Sequence, residues 1–290
     1  MKKTLALLLA LTMVFALCAC GQQAAAPAAP AAPAAEPAAA PAAEPAAPAA
    51  AEPAADSDLA YVKANGKLVV GITDFEPMDY QDADGNWIGF DADLATAFAE
   101  SLGVKVEFAE INWDNKVLEL NGKSIDCIWN GMTITPEVAS ATSCSNPYMR
   151  NAQVVVLPAA EAGKYASVED MKDLTFAVEA GSAGEGAVAE LGFKATPVTA
   201  QADALLEVKA GTSDACVIDL LMAVAMVGEG TSYADLTYTF SLNEEQYGVA
   251  FRQGSDLTEA LNAFFAAQFK AGALDKLADT YGLTGSVIAQ

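Results

Sequence analysis

The residues best suited to chemistry fall in one short stretch, "IDCIWNGMTITPEV", residues 125–138. An apolar, strand-like run ends at Asn130 and Gly131. Thr133 and Thr135 follow two residues apart, and Pro136 closes the run. A core strand has no need of such an ending. An amide, a permissive glycine and two hydroxyls are hydrogen-bonding groups, and together they suit the holding of a small polar molecule. Turnover is less well provided for. The chain has no histidine, which removes the commonest general base and metal ligand, and no nucleophile stands beside an evident base. Cys127, Cys144 and Cys216 are odd in number and widely spread, which fits neither a disulfide framework nor a zinc pattern. They are expected to be buried as small apolar groups. The segment Asp82, Asp84, Gly85, Asn86 faintly resembles a calcium loop, but its glycine is fourth rather than sixth, so a plain turn is expected. The sequence calls for no metal and no cofactor.

The formal charge is −23, and such a surface repels phosphate backbones, so nucleic acid is not an expected partner. Lys2 and Lys3 precede an apolar run from Leu5 to Leu17 and then "LCACG". A basic start, a short apolar core and small residues at a cleavage point read as a secretory signal over residues 1–19. The run falls short of the ~20 apolar residues that cross a bilayer. Its ending resembles the bacterial lipobox, which implies lipid attachment at Cys20. Residues 20–56 are almost wholly Ala, Pro and Glu. The prolines break any helix the alanines favour, so this is expected to be a disordered tether, on the order of 100 Å long when extended at ~3.1 Å per residue.

The remaining residues alternate between strand and helix patterns. "KLVVGIT" (67–73) reads as a buried strand and Asp84-Gly85 as a hairpin turn. Residues 91–104 read as a helix with Leu94, Ala97, Phe98 and Leu102 on one face and Gly103 past its end. A strand (105–111), a helix (113–124) and a third strand, "IDCIWN", follow. The pattern repeats in residues 174–192, as strand, glycine-rich turn and helix, and in 196–219, as strand, helix and strand. Two blocks of this kind, roughly 60–149 and 152–244, imply α/β units with parallel sheets. An amphipathic helical tail (257–282) needs a sheet to cover.

The ordered set "GFDADLATAFAESLGVKVEF", "INWDNKVLELNGKSIDCIWNGMTITPE", "NPYMRNAQVVV", "LTFAVEAGSAGE", "SDACVID", "EQYGVAFRQGSDL" and "GALDKLADTYG" resembles the family 3 bacterial extracellular solute-binding proteins over about Leu59 to Leu283. The resemblance implies an α/β, two-lobed periplasmic-binding-protein-like (type II) fold with two crossing hinge strands, near Gln153–Val156 and Gln246–Phe251. Lobe one is then 57–150 plus 248–290, and lobe two 151–247. It implies an extracytoplasmic lipoprotein, expected to be a monomer anchored through Cys20 on the cell surface or in the periplasm. Such a protein captures a small polar or charged amino acid and presents it to the permease of an ABC importer. Two alternatives stay open: a ligand without an α-carboxylate, such as an amine or polyamine, or a dehydratase-like enzyme on the same fold.

Carried over residue by residue, Asp219 accepts the ligand ammonium. Ser182 caps the helix whose first amides seat the carboxylate, with Ala183 where relatives often have a polar side chain. Phe75 and Trp113 sandwich the ligand side chain, while Asp74 and Glu76 flank Phe75. Asn130, Gly131, Thr133 and Thr135 line the turn. The family's carboxylate-binding arginine is replaced here by Val138, and Arg150, one of two arginines with Arg252, is the expected substitute.

Overall fold

The computed structural model describes residues 57–290; the signal segment, Cys20 and the tether lie outside the described residues. Helix α1 (Asp58–Asn65) starts from Ser57, whose Oγ accepts the Ala60 N–H, and stops at Gly66 in the left-handed region. Strand β1 (Lys67–Ile72) follows. The short hairpin of β2 (Tyr80–Gln81) and β3 (Trp87–Ile88) turns about Asp82, whose Oδ1 accepts the N–H groups of Asp84 and Asn86 at 2.9 Å. This is the plain turn the glycine spacing predicts. Helix α2 (Phe90–Leu102) buries Leu94, Ala95, Phe98 and Ala99 and ends at Gly103.

Strand β4 (Lys105–Glu110) pairs in parallel with β1. The helix expected over 113–124 is a 3-10 turn, Trp113–Asn115, running into α3 (Lys116–Asn121). The strand expected over 125–130 is reduced to β5 (Cys127–Ile128). Helix α4 (Pro136–Ala141) is capped by Thr135, whose hydroxyl accepts the Val138 N–H at 3.2 Å, and β6 (Ser143–Cys144) follows.

The chain then crosses on β7 (Met149–Asn151) into β8 (Gln153–Pro158), β9 (Thr175–Glu179), α5 (Ala183–Glu190), β10 (Lys194–Val198), α6 (Gln201–Ala210), β11 (Ala215–Asp219), α7 (Leu220–Met226) and β12 (Leu236–Ser241). It returns on β13 (Glu245–Tyr247), which pairs antiparallel with β7, and enters β14 (Ala250–Phe251). The two five-stranded sheets have the orders β4-β1-β5-β14-β6 and β10-β9-β11-β8-β12. Their βαβ strands are parallel as expected, but β14 in one and β8 in the other run antiparallel to their neighbours. Both sheets are therefore mixed, because a strand joined to the crossing runs against the βαβ direction.

Gln153–Val156, expected to be the first crossing, lies wholly inside the second sheet, with Gln153 opposite Asp219. Its run of three buried valines is covered on both faces, as a central strand requires. The crossing pair is Met149–Asn151 with Glu245–Tyr247. The helical tail forms α8 (Leu257–Lys270) and α9 (Ala273–Thr280), broken at left-handed Gly272. Phe265 meets Trp129 edge-on at 5.7 Å, and Phe264 lies 5.4 Å from Phe98, so α8 covers the first lobe. Among the described residues no helix is long and apolar enough to cross a membrane.

Candidate functional site

A cavity of about 750 Å³ lies between the ends of β5 and α3 in one lobe and β9, α5 and β11 in the other. Its floor is Asp219, the last residue of β11, 3 % exposed. Asn151 and Gln153 donate side-chain N–H groups to Asp219 Oδ1, Gln153 at 3.0 Å. Tyr247 donates its hydroxyl at 2.8 Å, and the Gln201 side chain donates to Oδ2. The carboxyl is thus aimed by both crossing strands and by α6. Burial first, and the charge of Glu245 second, push its pKa well above the usual carboxylate range. Glu245 stands beside it, with Oε1 accepting from Thr133 Oγ1 at 2.8 Å, Asn151 Nδ2 at 2.6 Å and Gln153 Nε2 at 2.8 Å.

Opposite lies the N-terminus of α5. Ser182 Oγ accepts the Glu185 N–H at 3.1 Å and Glu185 accepts the Gly181 N–H at 2.7 Å. The amides of Ala183 and Gly184 have no intrahelical acceptor, as the first residues of any helix do not. A Cβ built on Gly184 would stand 2.9 Å from Gln153 Oε1. One glutamine amide therefore spans the gap between the helix start and Asp219.

Trp113, 6 % exposed, lines the cleft from the first lobe. Lys116 lies over its ring, Nζ 4.9 Å from the centroid, and donates to Trp113 O at 3.2 Å and to Gly181 O, across the cleft, at 2.7 Å. Glu179, at the end of β9, is 2 % exposed, and its Oε1 has no hydrogen-bond partner among the described residues. Burial pushes its pKa up to about 8 against the opposing pull of Lys116. Seven acidic residues line this cavity, and Lys116 is the single basic one among the described residues.

The turn 130–133 is held from behind. Asn130 Oδ1 accepts from Thr73 N at 3.1 Å and Thr73 Oγ1 at 2.8 Å, and its Nδ2 donates to Thr73 O at 2.9 Å and Asp79 Oδ2 at 2.8 Å. Gly131 donates its N–H to Asp91 Oδ2 at 2.6 Å, and Tyr148 donates its hydroxyl to both Asp91 oxygens at 2.7 Å. Burial raises both carboxyls, Asp91 to about 7 and Asp79 well above its ordinary value.

Of the expected site residues, Trp113, Asn130, Gly131, Thr133, Thr135, Ser182 and Asp219 line this one cavity, with Val138 and Ala183. Phe75 does not. It is 2 % exposed and packs edge-on to Tyr247 at 6.4 Å, bracing the turn. Asp74 and Glu76 line a separate pocket with Tyr80, Trp87 and Glu110. Arg150 is exposed beyond the crossing strands, with Nη1 donating to Val287 O at 3.3 Å and its backbone N–H to Ser286 O at 2.8 Å. It lies outside the cleft because residues alternate sides along β7, which sends its neighbour Asn151 inward.

Asn151, Gln153, Gln201, Glu245 and Lys116 were not singled out from the sequence. A signal existed for some of them. Gln153 immediately precedes the apolar run 154–157 with Asn151 two residues before it, and Lys116 is i−4 to buried Leu120 on the inward face of α3.

Two α/β lobes, two crossing strands and a polar cleft with a buried acid facing a helix N-terminus define a class: proteins that bind small molecules between lobes. Residues 68–284 match the family described as bacterial extracellular solute-binding proteins, family 3, and the chain belongs to that family. The arginine-binding extracellular protein ArtP of Bacillus subtilis is 29 % identical over 217 residues, 73 % of this chain and 84 % of that protein. The crystal structure of a mutant ArgBP from T. maritima superposes with a TM-score of 0.73 at 34 % identity, covering 78 % of this chain and 99 % of that one. A cyclohexadienyl dehydratase of Pseudomonas aeruginosa is 29 % identical over 133 residues, 45 % of this chain and half of the enzyme.

Proposed function

We propose that this protein captures a polar or charged amino acid between its lobes and delivers it to the permease of an ABC importer. One observation carries the reading: Gln153 spans from Asp219 to the first turn of α5. An acid and an anion seat thus stand about one amide apart, as the ammonium and carboxylate of an α-amino acid do. Excluding water leaves both ligand charges in need of such partners. Asp219, flanked by Glu245, receives the ammonium. The Ala183 and Gly184 amides receive the carboxylate, where the partial positive charge of a helix N-terminus assists. Trp113 covers the side chain. The excess of acids over the single lysine favours a ligand that carries further positive charge or hydrogen-bond donors.

In this reading the protein is a monomer held outside the cytoplasm by a lipid on Cys20, the tether letting it reach the permease. It binds without turnover, a reading supported by floor carboxyls that are held mainly by the side-chain amides of Asn151, Gln153 and Gln201.

The experiment is a thermal-shift screen of the full chain with the twenty L-amino acids, their decarboxylated amines and prephenate. An amino acid at 100 times its dissociation constant should add about 2.7 kcal/mol. Asp219→Asn should abolish that shift. Amines binding as tightly as amino acids would replace this reading with the amine-binding one, and consumption of prephenate would replace it with an enzyme.

A further inference from the structure

Lys116 is placed as no structural lysine needs to be. It is 8 % exposed and reaches from the start of α3 to the other lobe. A buried ammonium is costly unless its charge is met. It has three N–H donors. Two go to the carbonyls of Trp113 and Gly181, and the third has no protein acceptor among the described residues. Glu179 leaves its own Oε1 unpartnered and does not take that proton. Burial pushes the Glu179 carboxyl up to about 8, so near neutral pH it meets the lysine charge only in part. Burial also lowers the Lys116 pKa, while Glu179, Glu137, Asp114 and Glu185 pull it back towards the charged form. Carbonyl dipoles and the Trp113 face hold the charged form in place without neutralising it.

The position of the ammonium is equally specific. Gly181 lies one residue before Ser182, the N-cap of α5. The one cation lining the cavity among the described residues therefore adjoins the start of α5.

We propose that Lys116 is the cation that receives the carboxylate of the bound amino acid, completing the seat formed by the first amides of α5. The proposal rests on the amino-acid reading above and names the residue that supplies its missing positive charge. Because Lys116 belongs to one lobe and the α5 amides to the other, the carboxylate is fully met only when the lobes are together as they are here. That makes Lys116 a ligand contact and a sensor of closure at once.

The test is calorimetric titration of the full chain with L-arginine, L-histidine and L-glutamine, plus any other L-amino acid that shifts its melting, and with the α-amide of each. It is run on wild type, Lys116→Met and Lys116→Gln. Both substitutions keep a side chain unbranched through Cγ and one heavy atom shorter, and the glutamine keeps an N–H donor on the side facing Gly181. Wild type should prefer each bound acid over its amide by at least about tenfold, the size of one charge-assisted hydrogen bond. In both variants that preference should collapse to within about threefold, through weaker binding of the acid alone. The comparison is made within each variant, so a general disturbance of the cleft cancels. An acid-over-amide preference that survives in Lys116→Met overturns the proposal. So does a parallel loss of acid and amide, which would make Lys116 only a closing contact. If wild type binds no amino acid at all, the amino-acid reading itself fails, and the proposal with it.

Discussion

At the scale of single residues, the two arginines divide between surface and core. Arg252 is buried in the first lobe, where its Nε meets Asp58 at 3.0 Å and its Nη2 meets Asp126 at 3.2 Å. Its Nη1 donates to the carbonyls of Leu120 and Ile125 at 3.2 and 2.8 Å. It thus fastens α1 and the loop before β5 to one another. Removing it leaves two buried carboxylates without a counter-charge, and such losses cost about 3 kcal/mol or more. Arg252→Met should lower the denaturation midpoint accordingly. Because Arg252 does not line the cleft, ligand affinity of the folded fraction should be unchanged. Arg150→Ala should alter neither, since among the described residues its side chain makes one exposed hydrogen bond, to Val287 O. A titration showing weaker amino-acid binding in Arg150→Ala would contradict this placement. Both residues read alike in the chain; what differs is the strand face and the loop that meets each one.

At the scale of elements, the turn between β9 and α5 decides how closely the lobes approach. Gly181 has φ +72°, and a Cβ there would stand 2.7 Å from Asp114 Cα and 2.9 Å from Asp114 Oδ1, atoms of the opposite lobe. Gly181→Ala therefore has two separable effects. The left-handed backbone costs an alanine about 1 kcal/mol in any state of the protein. The clash with Asp114 arises only when the lobes are together. Melting of the ligand-free chain should fall by about 2–4 °C, while ligand affinity should fall at least about tenfold through failed closure. Equal effects on both would mean that closure is not what the glycine permits. The motif "AGSAGE" was legible as a capped helix start, and Ser182 does cap α5. That its glycine touches the other lobe was not, because the contact joins residues 67 positions apart.

For the whole molecule, the buried acids set the response to pH. Asp79, Asp91, Glu179 and Asp219 are all raised, with burial the first cause in each. In the unfolded chain they titrate near 3.8 for Asp and 4.5 for Glu. Between those values and the folded ones, about 7 for Asp91 and about 8 for Glu179, the folded protein binds more protons than the unfolded one. Stability then falls as pH rises through that window. The net charge of −23 adds repulsion in the same direction. Thermal melts of the ligand-free chain at pH 5, 6.5 and 8 should give the highest midpoint at pH 5 and the lowest at pH 8. A midpoint that rises with pH would show that these carboxyls are ionised and paired instead.

The sequence by itself determined the α/β alternation, the cap at Ser182, the plain turn at Asp82, and a turn at 130–135 rich in hydrogen-bonding groups. Each depends on neighbours within a few residues, where periodicity, capping and glycine act directly. It also carried Asp219 and Trp113, whose surrounding motifs are long enough to be matched. Only the tertiary structure decided which charges share a cleft. Val154 to Val156 became a central strand instead of a crossing, Phe75 a brace instead of a wall, and Asp74 and Glu76 the lining of another pocket. Lys116 entered the cleft and Arg150 left it for the same reason. Which side of a short element faces the opposite lobe depends on how two sheets far apart in sequence are brought together, and no local pattern encodes that.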